Sequence, residues 1–101
     1  MLHPLLDLNE DLTDAEASYL EAKSRLKTLE ADLWIDNEIN WEEELGKSKP
    51  TIKDKEMWIR SQIDYVQDEV DEKLVKYHFL QRKYDILMKL EGEASKWNLQ
   101  D

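Results

Sequence analysis

The sequence predicts an all-α fold: an antiparallel, coiled-coil-like helical hairpin with one long second helix, completed by oligomerisation. Three observations predict it. From Ile59 to Trp97, steps of three or four residues meet Ile59, Ile63, Val66, Val70, Leu74, Tyr77, Leu80, Tyr84, Leu87, Leu90, Ala94 and Trp97, all apolar or aromatic. Their mean step is about 3.5, the coiled-coil period rather than the 3.6 of a straight helix. A second seam, in strict alternation of three and four, runs through Leu12, Ala15, Tyr19, Ala22, Leu26, Leu29 and Leu33. Between the two, Gly46-Lys-Ser-Lys-Pro50 is the clear breaker, with glycine just past one helix and proline just before the next.

Residues 1–12 read as an apolar N-terminal arm, carrying Leu2, Leu5, Leu6 and Leu8 around Pro4, with room for one helical turn after the proline. The hairpin then occupies residues 13–101. Thr13-Asp-Ala-Glu16 matches a capping box, in which hydroxyl and carboxylate satisfy the orphan amides of a helix start. The first helix is therefore set at 13–45. After Leu33 its register slips onto Trp34, Trp41 and Leu45, as when a helix rotates against its partner or meets a second one. The turn is 46–50. Thr51-Ile-Lys-Asp54 caps a second helix at 51–97. So short a connection makes the helices antiparallel neighbours.

At 1.5 Å per residue the first arm is on the order of 50 Å and the second about 70 Å. Counted outward from the turn, Thr13 falls opposite about residue 83. The turns from Tyr84 to Trp97 then overhang. Val75, Phe79 and Ile86 add a second apolar stripe, with Met88 nearby. A helix apolar on two sides calls for two partners. Val75, Phe79, Tyr84, Ile86, Leu87, Leu90 and Trp97 are accordingly the expected surface for a homo-oligomer or a protein partner, whose identity the residues do not give. The leucines of the arm could supply part of that cover, on their own hairpin or on a neighbour's.

Composition narrows the function classes. The chain has 101 residues, a formal charge of −10, two glycines, two prolines and no cysteine. One domain is the expectation from length. Disulfides and thiolate metal sites are excluded. Met1-Leu-His-Pro-Leu-Leu-Asp7 lacks the basic and long apolar regions of a signal peptide, and no run of about 18 apolar residues could span a bilayer. The expectation is a cytoplasmic protein that is repelled at long range by anionic membranes and nucleic acid, unless its basic residues are segregated.

Two acidic clusters are Asp36, Glu38, Glu42, Glu43 and Glu44, and Asp64, Asp68, Glu69, Asp71 and Glu72. Paired carboxylates can hold a divalent metal or act as acid and base. Against that, no Glu-x-x-His motif or calcium-loop pattern is present. Glu69 and Glu72 precede Lys73 and Lys76 by four residues, the arrangement of a solvated helix face. His3 and His78 are the histidines, and neither sits in a triad pattern. With Gly46 and Gly92 as the glycines, no phosphate-cradling loop can form. No catalytic residue, metal ligand or cofactor is assigned, and an enzyme is not expected.

The tip is the other candidate. Trp41 and Trp58 flank the turn, among Lys47, Lys49, Lys53, Lys55 and Arg60. Aromatics interleaved with basic residues can stack and hold single-stranded nucleic acid. From Glu42 to Arg60, however, five acids balance those five bases, so the tip is neutral rather than basic. Two readings stay open: a single-strand contact that the net charge disfavours, and tryptophans that pack helices beside a solubilising loop.

The order of these features resembles the UvsY recombination mediators of tailed phages. The resemblance rests on Tyr19-Leu20-x-x-Lys23 at the start of a heptad helix, and on Trp41 shortly before Gly46-Lys47. A long second helix then ends at Ser95-Lys96-Trp97. It implies a small, helical, self-associating accessory that helps load a recombinase onto single-stranded DNA. The combined expectation is a non-catalytic helical interaction protein, in the form of a phage recombination or replication accessory. The alternatives are an acidic inhibitor that mimics nucleic acid against a host enzyme, and a structural or chaperone-like coiled coil.

Overall fold

The computed structural model describes residues 4–99, with side chains described for residues 4–92. The elements are α1 (Pro4–Ile35), α2 (Trp41–Leu45) and α3 (Ile52–Leu99). Every regular element among the described residues is helical, and the fold is an all-α helical hairpin. The chain forms two compact units, Met1–Leu20 with Asp71–Asp101, and Glu21–Val70.

The terminal unit departs from the sequence reading at its start. α1 begins at Pro4, so residues 4–12 are the opening turns of the helix and not a separate arm. Proline suits the first helical position because its missing N–H would be unpaired there anyway. Leu5, Leu8 and Leu12 step by three and then four residues and extend the heptad backwards. Leu8, Leu12 and Ala15 are buried and Leu5 is half-buried. The expected cap at Thr13 is absent. Its hydroxyl donates to the Asn9 carbonyl at 2.8 Å, the mid-helix back-bond of a threonine whose upstream residues are already helical.

On α3 in the same unit, Leu74, Tyr77, Leu80, Tyr84 and Leu87 are half-buried along the seam. Tyr19 stacks on Tyr77, with ring centroids 6.2 Å apart and planes inclined by 8°. Lys73 Nζ donates to Ser18 Oγ at 2.7 Å. Carried back along α1 from these contacts, the register sets Pro4 abreast of about residue 90. The overhang expected from Tyr84 onward is therefore covered by the opening turns of α1 only as far as about residue 90. Leu90 does not stay in the seam: it is 55% exposed.

The tip unit holds the rest of α1, all of α2 and the first turns of α3. Its core is Ala22, Ile59, Ile63, Val66 and Val70, with Ile59 and Val66 at most 2% exposed. Leu26, Leu29, Leu33 and Leu45 are half-buried around them. Arg25 pairs with Glu69 on the surface, where an ion pair contributes little. The single helix expected over 13–45 is instead broken at 36–40. Asp36 Oδ1 accepts from the Glu38 N–H at 2.9 Å, a local turn that competes with helix. Asn40 then caps α2, its Oδ1 accepting from the Glu43 N–H at 3.1 Å. The register slip after Leu33 marks this break. α3 starts within one residue of the expected position and runs on to Leu99.

The two readings of the N-terminus predict different energetics. With Leu8 in the core, Leu8→Ala is expected to lower stability by about 2–3 kcal/mol in urea unfolding. Leu6→Ala, at a position 60% exposed, should stay within about 0.5 kcal/mol of the parent. Equal, small effects would place Leu8 on a loose arm.

Candidate functional site

The tip is built by three local devices. Asn40 starts α2, and Gly46 ends it in the left-handed conformation (φ 68°, ψ 18°), its N–H reaching the Glu42 carbonyl at 2.7 Å. Thr51 and Asp54 cap α3 reciprocally. Thr51 Oγ1 accepts from the Asp54 N–H at 3.1 Å, and Asp54 Oδ2 accepts from the Thr51 N–H at 3.0 Å. Lys47 Nζ adds an ion pair to the same Oδ2 at 3.2 Å. The Thr51 backbone N–H first, then the Lys47 ammonium and the Thr51 hydroxyl, hold the Asp54 carboxyl below the ordinary carboxylate range.

This turn brings three of the seven tip residues together. Trp41 and Trp58 meet edge to face, with centroids 5.2 Å apart and planes at 79°. Lys55 Nζ lies 5.3 Å from the centre of the Trp41 ring. An edge-to-face pair such as Trp41–Trp58 contributes about 0.5–1.5 kcal/mol beyond its buried area. Both indoles are half-buried, and Lys55 occupies one face of Trp41. A stacking platform for bases needs open ring faces. Here the rings hold α2 against the first turns of α3. Lys47 is turned onto Asp54, Lys49 and Lys53 are exposed, and Arg60 lines a groove with Glu30, Glu56 and Asp64.

A second surface lies on α3 in the terminal unit. Val75, Phe79, Ile86 and Leu90 are 67%, 60%, 59% and 55% exposed. At 100° per residue all four fall within an arc of about 60°, opposite the side that carries Leu74, Tyr77, Leu80 and Tyr84. Tyr84 and Leu87, expected in the same partner surface, are half-buried in the seam instead. The side chain of Trp97 lies outside the described residues. Large apolar side chains left exposed in line on one helix face make this a candidate binding face.

Sequence reasoning missed the charge around that stripe. Taken as a whole, residues 61–101 carry −3, which conceals a segregation within α3. Residues 61–72 hold five acids and no base, whereas residues 73–90 hold Lys73, Lys76, Arg82, Lys83 and Lys89 against Asp85 alone. Lys76, Arg82, Lys83 and Lys89 are all exposed. Counting charge in windows of three or four turns would have shown it. Compared with known proteins, the chain matches no family model, no curated protein and no solved structure. The resemblance to the UvsY mediators accordingly rests on its own residues.

Among the described residues, no three His, Cys, Asp or Glu side chains converge as a metal site, and no helix is long and apolar enough to cross a membrane. A groove beside the seam, lined by Asp11, Asp14, Ser18, Glu72, Lys73 and Lys76, mixes both charge signs and selects neither ion.

Two outcomes test the tip. Nothing lies within 4 Å of a Cβ built on Gly46, so Gly46→Ala costs backbone strain alone. It is expected to lower stability by about 1 kcal/mol, and Gly46→Asn by less, in urea unfolding followed by tryptophan emission. For Asp54 the folded protein favours the ionised form. The cap is complete above the free-chain value of about 3.9 and is lost as pH falls through the lower value of the folded state. In an NMR carboxyl titration, the Asp54 midpoint should rise on Thr51→Ala combined with Lys47→Ala. An unmoved midpoint would contradict the assigned causes.

Proposed function

We propose that this chain is a non-catalytic helical interaction protein that works through the basic, apolar face of α3 between Lys73 and Leu90. The observation that carries the reading is the coincidence, on one helix face, of four exposed large apolar side chains with most of the positive charge of that half of the chain. Apolar anchors supply affinity when desolvated, and the surrounding cations select an acidic counterpart and speed the encounter. An accessory role in phage recombination or replication is the specific form that the UvsY resemblance adds to this reading.

A second reading, a direct contact with single-stranded DNA, is favoured by the same cations. The tip is the weaker place for it, because its indole faces are engaged within the fold. The DNA reading predicts salt-dependent binding that weakens on Arg82→Ala and Lys83→Ala, and not on Lys49→Ala and Lys53→Ala.

A photo-crosslinking residue placed at Phe79 tests the surface itself. In the cells that make the chain, it is expected to form polypeptide adducts, whereas the same residue at the exposed Glu10 should not. Loss of the Phe79 adducts on Ile86→Ser, with helicity unchanged, would tie them to the stripe. No adduct at either site would remove this face from the reading.

A further inference from the structure

We infer that the occupant of this face is a second copy of the chain, lying antiparallel along α3 about a two-fold axis beside Tyr77. The inference rests on the reading of Lys73–Leu90 as the working surface and names what that surface holds. Its ground is charge complementarity along one helix. Residues 61–72 carry −5 and residues 73–90 carry +4, so α3 is acidic and then basic in sequence order. Two copies side by side in the same direction would set like charge on like charge, with Arg82 against Arg82. Reversing one copy sets each acidic stretch on the other's basic stretch, and the two-fold repeats every contact.

The helical register makes the match specific. In an antiparallel pair, residues on the same flank of each helix meet. With the axis beside Tyr77, Val75 meets Phe79 of the second copy, and Phe79 meets its Val75, giving four apolar side chains at the centre. Glu72 then faces Lys83 of the second copy on one flank, and Asp64 faces its Lys89 on the other. Tyr65, 67% exposed, reaches Leu90 of the second copy at the edge. Asp68 falls opposite Ile86 of the second copy, with Lys83 and Lys89 of that copy one turn to either side. Asp64, Asp68 and Glu72 are exposed, as are Lys83 and Lys89. Asp85, the acid within the basic stretch, is held along its own helix by Gln81 Nε2, which donates at 3.2 Å.

The test uses the full chain and two charge-reversed doubles. Asp64→Lys with Glu72→Lys makes the face basic throughout; Lys83→Glu with Lys89→Glu makes it acidic. All four positions are exposed, so both doubles should keep the parent's helicity in circular dichroism. In sedimentation equilibrium at about 50 mM salt, where exposed charges are weakly screened, the parent is expected as a dimer. Each double alone should bind itself about a hundredfold more weakly. An equimolar mixture of the two should regain a dimer containing one of each, because every reversed pair is again opposite in sign. A parent that keeps the mass of one chain at about 100 μM would overturn the inference. So would doubles that dimerise like the parent, because the contact would then lie elsewhere. Phe79 adducts to a different polypeptide, with the parent monomeric, would reject the second copy and leave the surface reading standing.

Discussion

Burial of one narrow stripe from each long helix is the constraint on which the rest of this molecule depends. Eight apolar side chains are buried among the described residues: Leu8, Leu12, Ala15, Ala22, Ile59, Ile63, Val66 and Val70. No polar side chain joins them. Two of the four on α1 are alanines, which let the partner helix approach closely but bury little area themselves. A seam of this kind fixes register well, because a slip by one position moves charged neighbours into it. It leaves most of each helix to solvent.

Much of this was legible in the order of residues. A heptad needs only spacing to be seen, and the spacing of Leu12 to Leu33 and of Ile59 to Leu87 placed the seam residues correctly. The capping of α3 by Thr51 and Asp54 was equally plain, since both partners are local. The errors arose where a local signal was weighed without its surroundings. Thr13-x-x-Glu16 has the chemistry of a cap, yet a threonine can equally bond back to a carbonyl four residues earlier. Leu5 and Leu8, already in heptad step, decide between the two. The helix expected over 13–45 runs straight through Asp36 and Asn40. Their side chains offer the backbone turns and caps that helix must compete with.

The candidate sites differed in legibility for a related reason. Trp41 and Trp58 among lysines have the composition of a single-strand platform, but composition does not say where the ring faces point. Here Lys55 and the second indole take up faces that a base would need. The apolar stripe of Val75, Phe79 and Ile86 was visible from spacing alone. The charge that gives it a character was not, because summing over residues 61–101 averages an acidic stretch with the basic one that follows it. Long-range electrostatics depends on the sum. Recognition at a helix face depends on the sequence of charges over a few turns.

The tryptophan contact at the tip has an optical consequence. Two indoles 5.2 Å apart and inclined at 79° form an asymmetric pair of chromophores. Holding each ring in a fixed, asymmetric surrounding is what makes an aromatic side chain optically active in the near ultraviolet, and the closed tip adds to that signal beside the other aromatic residues of the chain. Helix content, read in the far ultraviolet, is dominated by α1 and α3 and is nearly blind to the five residues of α2. Opening of α2 would therefore change the aromatic signal while leaving that of the long helices almost as it was.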